Sequence, residues 1–167
     1  MKKETYVKMT QPFRDNPGMA KGIHIANKLC TLSMYLAYPL LIAYMLFVLK
    51  DPYVARMIIV PLDSFIILSV FRYFVNRPRP YEAFEVPPVI AKDTKGKSFP
   101  SRHVFSAMII ALTFLMASPF QWLGAIFVVV AILLAVVRVV SGVHYISDVV
   151  AGIAVALMAA IIGYVVI

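Results

Sequence analysis

Polar and apolar residues fall in long blocks along this chain of 167 residues instead of alternating position by position. Five apolar stretches, near 29–49, 54–75, 104–117, 121–140 and 145–167, approach the ~20 residues that a helix needs to cross a hydrocarbon core. The third is short. It is expected to begin inside the polar loop near Pro100 and to stop at Ser118-Pro119, where proline cannot continue a helix. The connections around Lys50-Asp51-Pro52, Ser118-Pro119 and Ser141-Gly142-Val143 are short. One is long: NRPRPYEAFEVPPVIAKDTKGKSFPSR is rich in proline and charge and lacks helical periodicity. Before the first span, MKKETYVKMTQPFRDNPGMAKGIHIANK is too long, too polar and too broken by proline and glycine for the leading part of a cleavable signal. The pattern predicts an all-α, polytopic transmembrane helix bundle of about five spans over 29–167, fronted by a basic interfacial segment over 1–28. No internal repeat, low-complexity tract or second domain interrupts it.

Composition agrees, since 62% of the residues are hydrophobic and the mean hydropathy is +0.86, far outside the range of soluble domains. The single cysteine, Cys30, rules out an intramolecular disulfide and a Cys-rich metal site. A net charge of +8 means that the few charged surfaces attract anions, either phosphates or acidic lipid headgroups. Membrane lipids are the expected surroundings, and no nucleic-acid partner is expected.

Counting crossings puts the end of span two, the start of span three, the end of span four and the start of span five at one membrane face. The polar residues collect at those four ends: Arg72, Arg77 and Arg79, then Ser101, Arg102 and His103, then Arg138, then His144 and Asp148. A single polar pocket at one face follows. An ionisable residue inside a membrane helix is costly, by ~3 kcal/mol on insertion scales, so it usually faces the bundle interior. Arg138 taken alone fits equally a side chain that snorkels to the headgroups. His144 and Asp148, four residues apart, fall on one face of a helix that begins after Gly142, where the carboxylate can hold one ring nitrogen and free the other. Such a pair often only caps a helix. With a second histidine and at least three arginines on the same side, it describes a site that binds a phosphoryl group and attacks it. Ser101 and the backbone N–H groups at the start of span three add donors at a helix N-terminus, a favoured place for an anion.

Three pieces of the sequence resemble the signature of the type-2 phosphatidic acid phosphatase superfamily, which includes lipid phosphate phosphatases and vanadium haloperoxidases. Arg72-YFVNRP-Arg79-Pro80 is similar to its Lys-x6-Arg-Pro with Arg in place of Lys. Pro100-Ser101-Arg102-His103 is similar to Pro-Ser-Gly-His with Arg in place of Gly, and Arg138-VVSGV-His144-YIS-Asp148 to Ser-Arg-x5-His-x3-Asp with Val137 in place of Ser. The resemblance implies that His144 forms a phosphohistidine, that Asp148 orients it, and that His103 protonates the leaving oxygen and then helps to activate water. It also implies that Arg72, Arg79, Ser101 and Arg138 hold the phosphate with no metal and no cofactor. Arg102, where the family has glycine, either narrows the pocket or supplies another cation for the phosphate. The implied substrate is a lipid phosphate or a polyprenyl diphosphate. The family usually shows six spans, so its first helix is expected to be missing here or reduced to residues 1–28. A phospholipid-binding or transporting protein of the same fold without turnover is the alternative. It would keep the arginines but not need both histidines and Asp148. Haloperoxidase chemistry would use the same oxyanion cradle but suits a lipid-facing bundle less well.

Other polar residues carry weaker expectations. Asp63, nine residues from Arg72 or ~13 Å along a helix, is read as satisfying, with Ser64, backbone groups that Pro61 frees. His24 is read as solvated at the interface, and Arg77 as a headgroup contact or a participant in catalysis. Lys92, Lys95 and Lys97 are either a solvated run or an attractor of anionic substrate. Tyr35, Tyr38, Tyr44, Phe120 and Trp122 fit interface belts and packing. Residues 1–28 and the site are expected at one face and Ile167 at the other. Of the 16 Lys and Arg, 14 lie at the site face and only Lys50 and Arg56 opposite, which favours a cytoplasmic site by the positive-inside rule. The resemblance pulls the other way, because bacterial relatives that recycle undecaprenyl diphosphate act on the outer face of the cytoplasmic membrane.

Overall fold

The computed structural model describes residues 1–92 and 94–166, so Ile167 lies outside the described residues. Among these the fold is all-helical: α1 (Lys3–Asp15), α2 (Pro17–Ala43), α3 (Val54–Val75), α4 (Pro80–Phe84), α5 (Arg102–Ala117), α6 (Gln121–Val140) and α7 (Ile146–Ile161). Wider π-helical turns continue α2 over Tyr44–Leu49 and α7 over Ile162–Val166. Four of these units are long and apolar enough to cross a membrane, and α5 is a shorter apolar helix. The chain is an integral membrane helix bundle.

The expected spans hold for α3 and α6, and α5 stops at Ala117 before Ser118-Pro119 as expected. The first span differs. Its helix starts at Pro17, twelve residues before the apolar run begins, because Asn16 is an effective cap. The Asn16 side chain accepts hydrogen bonds from the N–H groups of Gly18 (2.9 Å) and Met19 (3.2 Å), and Pro17 at the first position has no N–H to leave unpaired. The N-terminal segment therefore breaks at Asn16, and residues 17–28 are the polar opening turns of a membrane helix. The long connection is also less irregular than its composition suggests, since it holds α4.

Helix α5 is the axis of the bundle. Val104, Phe105 and every residue from Ala107 to Phe114 are buried, because α2, α3, α6 and α7 all pack on this one helix. Small residues set how closely they come. A Cβ on Gly124 of α6 would lie 2.4 Å from the Leu115 nitrogen, and one on Gly152 of α7 would lie 2.8 Å from the Ser101 carbonyl oxygen. The outward faces are apolar, with Phe74 77% and Ile67 69% exposed, as a lipid-facing surface requires.

Pro61 inside α3 leaves the Met57 carbonyl without its helical donor. The Tyr38 hydroxyl of α2 donates to that carbonyl at 2.8 Å, so a tyrosine read as belt or packing is a cross-helix tie at a proline. Ser64 donates instead to the Val60 carbonyl at 2.6 Å, which Pro61 does not free, so the expectation that Ser64 satisfies the freed group is not met. Asp63 takes no part: it is exposed and lines a cleft of about 630 Å³ between α3 and α7.

Helix α1 lies across the end of the bundle that carries the polar residues. The fully buried Tyr6 directs its hydroxyl to the carbonyls of Gly142 (3.2 Å) and Val86 (3.3 Å), and Met9 packs against the buried cluster formed by Val104, Ala135, Val139 and Val149. Residues 1–16 and the turn at Gly142 thus share one end, and Lys50 lies past the far end of α2. With Cys30→Ser as background and single cysteines at Lys8, Lys95 and Lys50, an impermeant thiol reagent is expected to label the first two from one side and the third from the other. Labelling of Lys8 and Lys95 from opposite sides would contradict this topology.

Candidate active site

Asp148 is completely buried, and the groups around it define the site. Its Oδ2 accepts from the Tyr145 N–H at 3.0 Å and from the Ser98 hydroxyl, and lies 3.4 Å from His144 Nδ1. Its Oδ1 accepts from Arg77 Nη1 at 2.8 Å. Helix α7 starts only at Ile146, so the His144–Asp148 pair spans the helix start instead of lying within its body. Asp148 both caps the helix and meets the imidazole. His144 is 1% exposed, with Nδ1 turned towards Asp148 and Ser98. Burial pushes its basicity well below the ordinary imidazole value, outweighing the Asp148 hydrogen bond that raises it. His144 is held neutral.

The main chain bolts the Pro100–His103 motif to the Arg138–Asp148 motif. The Ser101 N–H donates to the Asp148 carbonyl at 2.8 Å, and Gly152 allows that approach. This N–H is therefore occupied. The α5 N-terminus has no side-chain cap, so its following N–H groups face the polar end. The buried Ser101 Oγ has no hydrogen-bond partner, and neither do Nε and Nη2 of Arg138. Arg138 is 3% exposed, which excludes snorkelling, and its Nη1 donates to Asn27 Oδ1 of α2 at 3.1 Å.

Arg72 and Arg79 are buried and tie down the loop before α5. Arg72 donates to the Lys97 and Ser98 carbonyls. Arg79 donates from Nε to the Gly96 carbonyl (3.1 Å) and from Nη1 to the Val143 carbonyl (3.2 Å). His103 is half-buried on the inward side of α5, beside Thr31 and Tyr35 of α2.

Arg102 does not join this group. It is exposed, with its guanidinium 5.5 Å from the Phe65 ring centroid on α3. Successive helix positions are ~100° apart, so turning His103 inward turns Arg102 out. His24 is exposed, as expected of an interfacial residue. Two residues acquire a place that spacing did not assign. Ser98 donates to Asp148, and Arg77 pairs with it. The only sequence signal for either was proximity to the motifs. The lysine run divides. Lys95 and Lys97 are exposed, with Lys97 over the Tyr73 ring at 4.9 Å. Lys92 is half-buried, and burial followed by the fields of Arg138, Arg79, Arg102 and Arg72 lowers its proton affinity. It belongs to the cationic cluster.

The sequence model of the PAP2 superfamily matches residues 52–167. The chain belongs to the PAP2 superfamily. The resemblance read from the three motifs is borne out, and the match begins just before α3. No curated protein matches the chain at a significant level. Among solved structures, LpxE of Aquifex aeolicus superposes with a TM-score of 0.73 at 24% identity, over 96% of this chain and 92% of that one. A transmembrane PAP2-type phosphatidylglycerolphosphate phosphatase from Bacillus subtilis gives a TM-score of 0.72 at 22% identity, over 96% and 83%. At these identities the likeness is one of fold, and it extends over α1 and α2, which the family model does not cover.

The turn that presents His144 depends on Gly142, whose φ is +78° and whose Cβ, if it had one, would lie 2.5 Å from the Tyr6 hydroxyl. Gly142→Ala is expected to destabilise the protein by about 1–3 kcal/mol, seen as an earlier unfolding transition in detergent. Adding Tyr6→Ala should relieve the clash but not the backbone strain. An unchanged transition in Gly142→Ala would refute the packing of α1 on this turn.

Proposed function

We propose that this PAP2 protein is a membrane phosphatase that hydrolyses a lipid phosphomonoester, or the terminal phosphate of a polyprenyl diphosphate, through a phosphohistidine on His144 and without a metal. The observation that carries the reading is the set of orphaned donors. Ser101 Oγ and two Arg138 nitrogens are buried without partners at the end of the bundle that holds both histidines. Leaving such groups unpaired is costly, and a tetrahedral oxyanion supplies the acceptors they lack.

In this reading His144 Nε2 attacks phosphorus, the bond from phosphorus to the leaving oxygen breaks, and His103 gives that oxygen its proton. His103 then takes a proton from water, the water oxygen attacks the phosphohistidine, and the P–N bond breaks to release phosphate and neutral His144. Asp148 stabilises the cationic ring of the intermediate. Arg138, Ser101 and the N–H groups at the α5 N-terminus neutralise the equatorial oxygens. Arg72 and Arg79 add positive field while they hold the loop that carries Ser98.

A second feature supports an amphiphilic substrate. A cleft of about 300 Å³ opens between α2, α3 and α5, lined by residues such as Tyr35, Ile58, Leu62, Phe65 and Ile109. It shares Tyr35 and Ser106 with the wall beside His103. A lipid tail there leaves its phosphate at the site. Arg102, over Phe65 on this cleft's wall, is then placed to meet the remainder of the headgroup or a second phosphate instead of the scissile one.

Purified protein should release inorganic phosphate from at least one of phosphatidate, phosphatidylglycerol phosphate and undecaprenyl diphosphate with EDTA present. Release from none would favour a binding or transport protein. His144→Ala should lose several orders of magnitude in turnover, because a covalent route has no substitute for its nucleophile. Asp148→Asn should lose less, because it spares the ring. More than a few per cent residual activity in His144→Ala would overturn the nucleophile assignment.

Vanadate should inhibit competitively, since a pentacoordinate oxyanion resembles the phosphoryl transition state. Inhibition that substrate cannot relieve, or a strict need for a divalent cation, would count against the metal-free cradle.

A further inference from the structure

Arg77 is two residues before Arg79, yet its surroundings differ from those of the other arginines. Arg72 and Arg79 turn back to the carbonyls of the loop before α5. Arg77 reaches the start of α7. Its Nη1 lies 2.8 Å from Asp148 Oδ1 and 2.8 Å from Ser147 Oγ, and its guanidinium is 4.1 Å from the Tyr145 ring centroid. Its main chain reaches the other carboxylate oxygen through one intermediate. The Arg77 carbonyl accepts from the Ser98 N–H at 2.9 Å, and the Ser98 hydroxyl donates to Asp148 Oδ2. One residue therefore anchors both oxygens of Asp148.

We infer that Arg77 is a positioning residue, which holds the Asp148 carboxylate against His144 Nδ1 and shares its negative charge, so that the ring presents Nε2 in one fixed orientation. The inference rests on the phosphatase reading. Its physical basis is a conflict within the His–Asp pair. A carboxylate with no counter-ion favours the imidazolium, which has no lone pair to attack with, whereas an absent carboxylate leaves the phosphohistidine cation unsupported. A paired carboxylate orients the ring at smaller cost to its nucleophilicity. The charged groups that face His144 are Asp148 from α7, Arg138 from α6, Arg79 from the turn before α4 and His103 from α5. Among the described residues, Arg77 is the one Lys or Arg with a direct bond to Asp148. Its side chain is 35% exposed, so it can be replaced without opening a core cavity.

The test combines Arg77→Ala, Arg77→Gln and Arg77→Lys with Asp148→Asn, using 15N-histidine-labelled protein in detergent micelles. Only His24, His103 and His144 give signals. Arg77→Ala should raise the His144 titration midpoint by about one pH unit and lower kcat on the order of tenfold with KM unchanged. Arg77→Gln, which can keep the hydrogen bond but not the charge, should show the raised midpoint with a smaller loss of kcat. Arg77→Lys should restore both in large part. In the Asp148→Asn background Arg77→Ala should add nothing. An unmoved His144 midpoint in Arg77→Ala and Arg77→Gln would overturn the inference. So would a raised KM with losses that add to those of Asp148→Asn, which would make Arg77 a substrate contact. The titration needs no substrate, so a wild type that releases no phosphate would remove the phosphatase reading while the pairing is judged on its own.

Discussion

A carboxylate with no exposed surface must be surrounded by donors, and Asp148 draws its donors from the long connection, the turn before α7 and the head of α5. Arg77 and Ser98 come from the long connection, Tyr145 N–H from the turn before α7, and His144 from the residue before that. The Asp148 main chain receives Ser101 from the head of α5. An unpaired buried charge is far costlier than a lost contact, so these partners are held together by the penalty of separating them. The bundle supplies the frame, and one anion fixes how its ends meet.

The part of the chain outside the family match is tied into the same end. Tyr6 of α1 rests on the carbonyl of Gly142, and Asn27 of α2 accepts from Arg138. Both contacts fall on the segment from Arg138 to His144. The N-terminal 51 residues are therefore neither a passive anchor nor a separate unit. They close the open side of a turn whose glycine sits directly against the hydroxyl edge of Tyr6.

Hydrophobic blocks made α3, α5 and α6 legible almost to the residue, since the length of an apolar run and a following proline are local properties. The start of α2 was hidden because Lys21, His24 and Lys28 interrupt the apolar signal while Asn16 and Pro17 supply the stronger one for helix initiation. The motif spacings located His103, His144, Asp148, Arg138 and Ser101. They could not separate Arg102 from its neighbours, because the direction of a side chain at the first position of a helix depends on which face the next residue presents to the core. Nor could they single out Ser98 and Arg77, whose relation to Asp148 spans 50 and 71 positions of sequence. Nothing near Tyr38 in sequence marks it as a tie, because the carbonyl that it satisfies is orphaned by a proline on another helix.

Helix α5 is 16 residues long, or ~24 Å, against a hydrocarbon thickness of ~30 Å. It can be this short because its neighbours, not lipid, surround it. The outer helices bear the match to membrane thickness and can tilt or extend to suit a thinner or thicker bilayer. The ends of α5 stay where Ser101 and Gly124 fix them. The depth of the site is thus a property of the protein interior, decoupled from the membrane around it, and one sequence can work at a constant depth as the composition of its membrane changes.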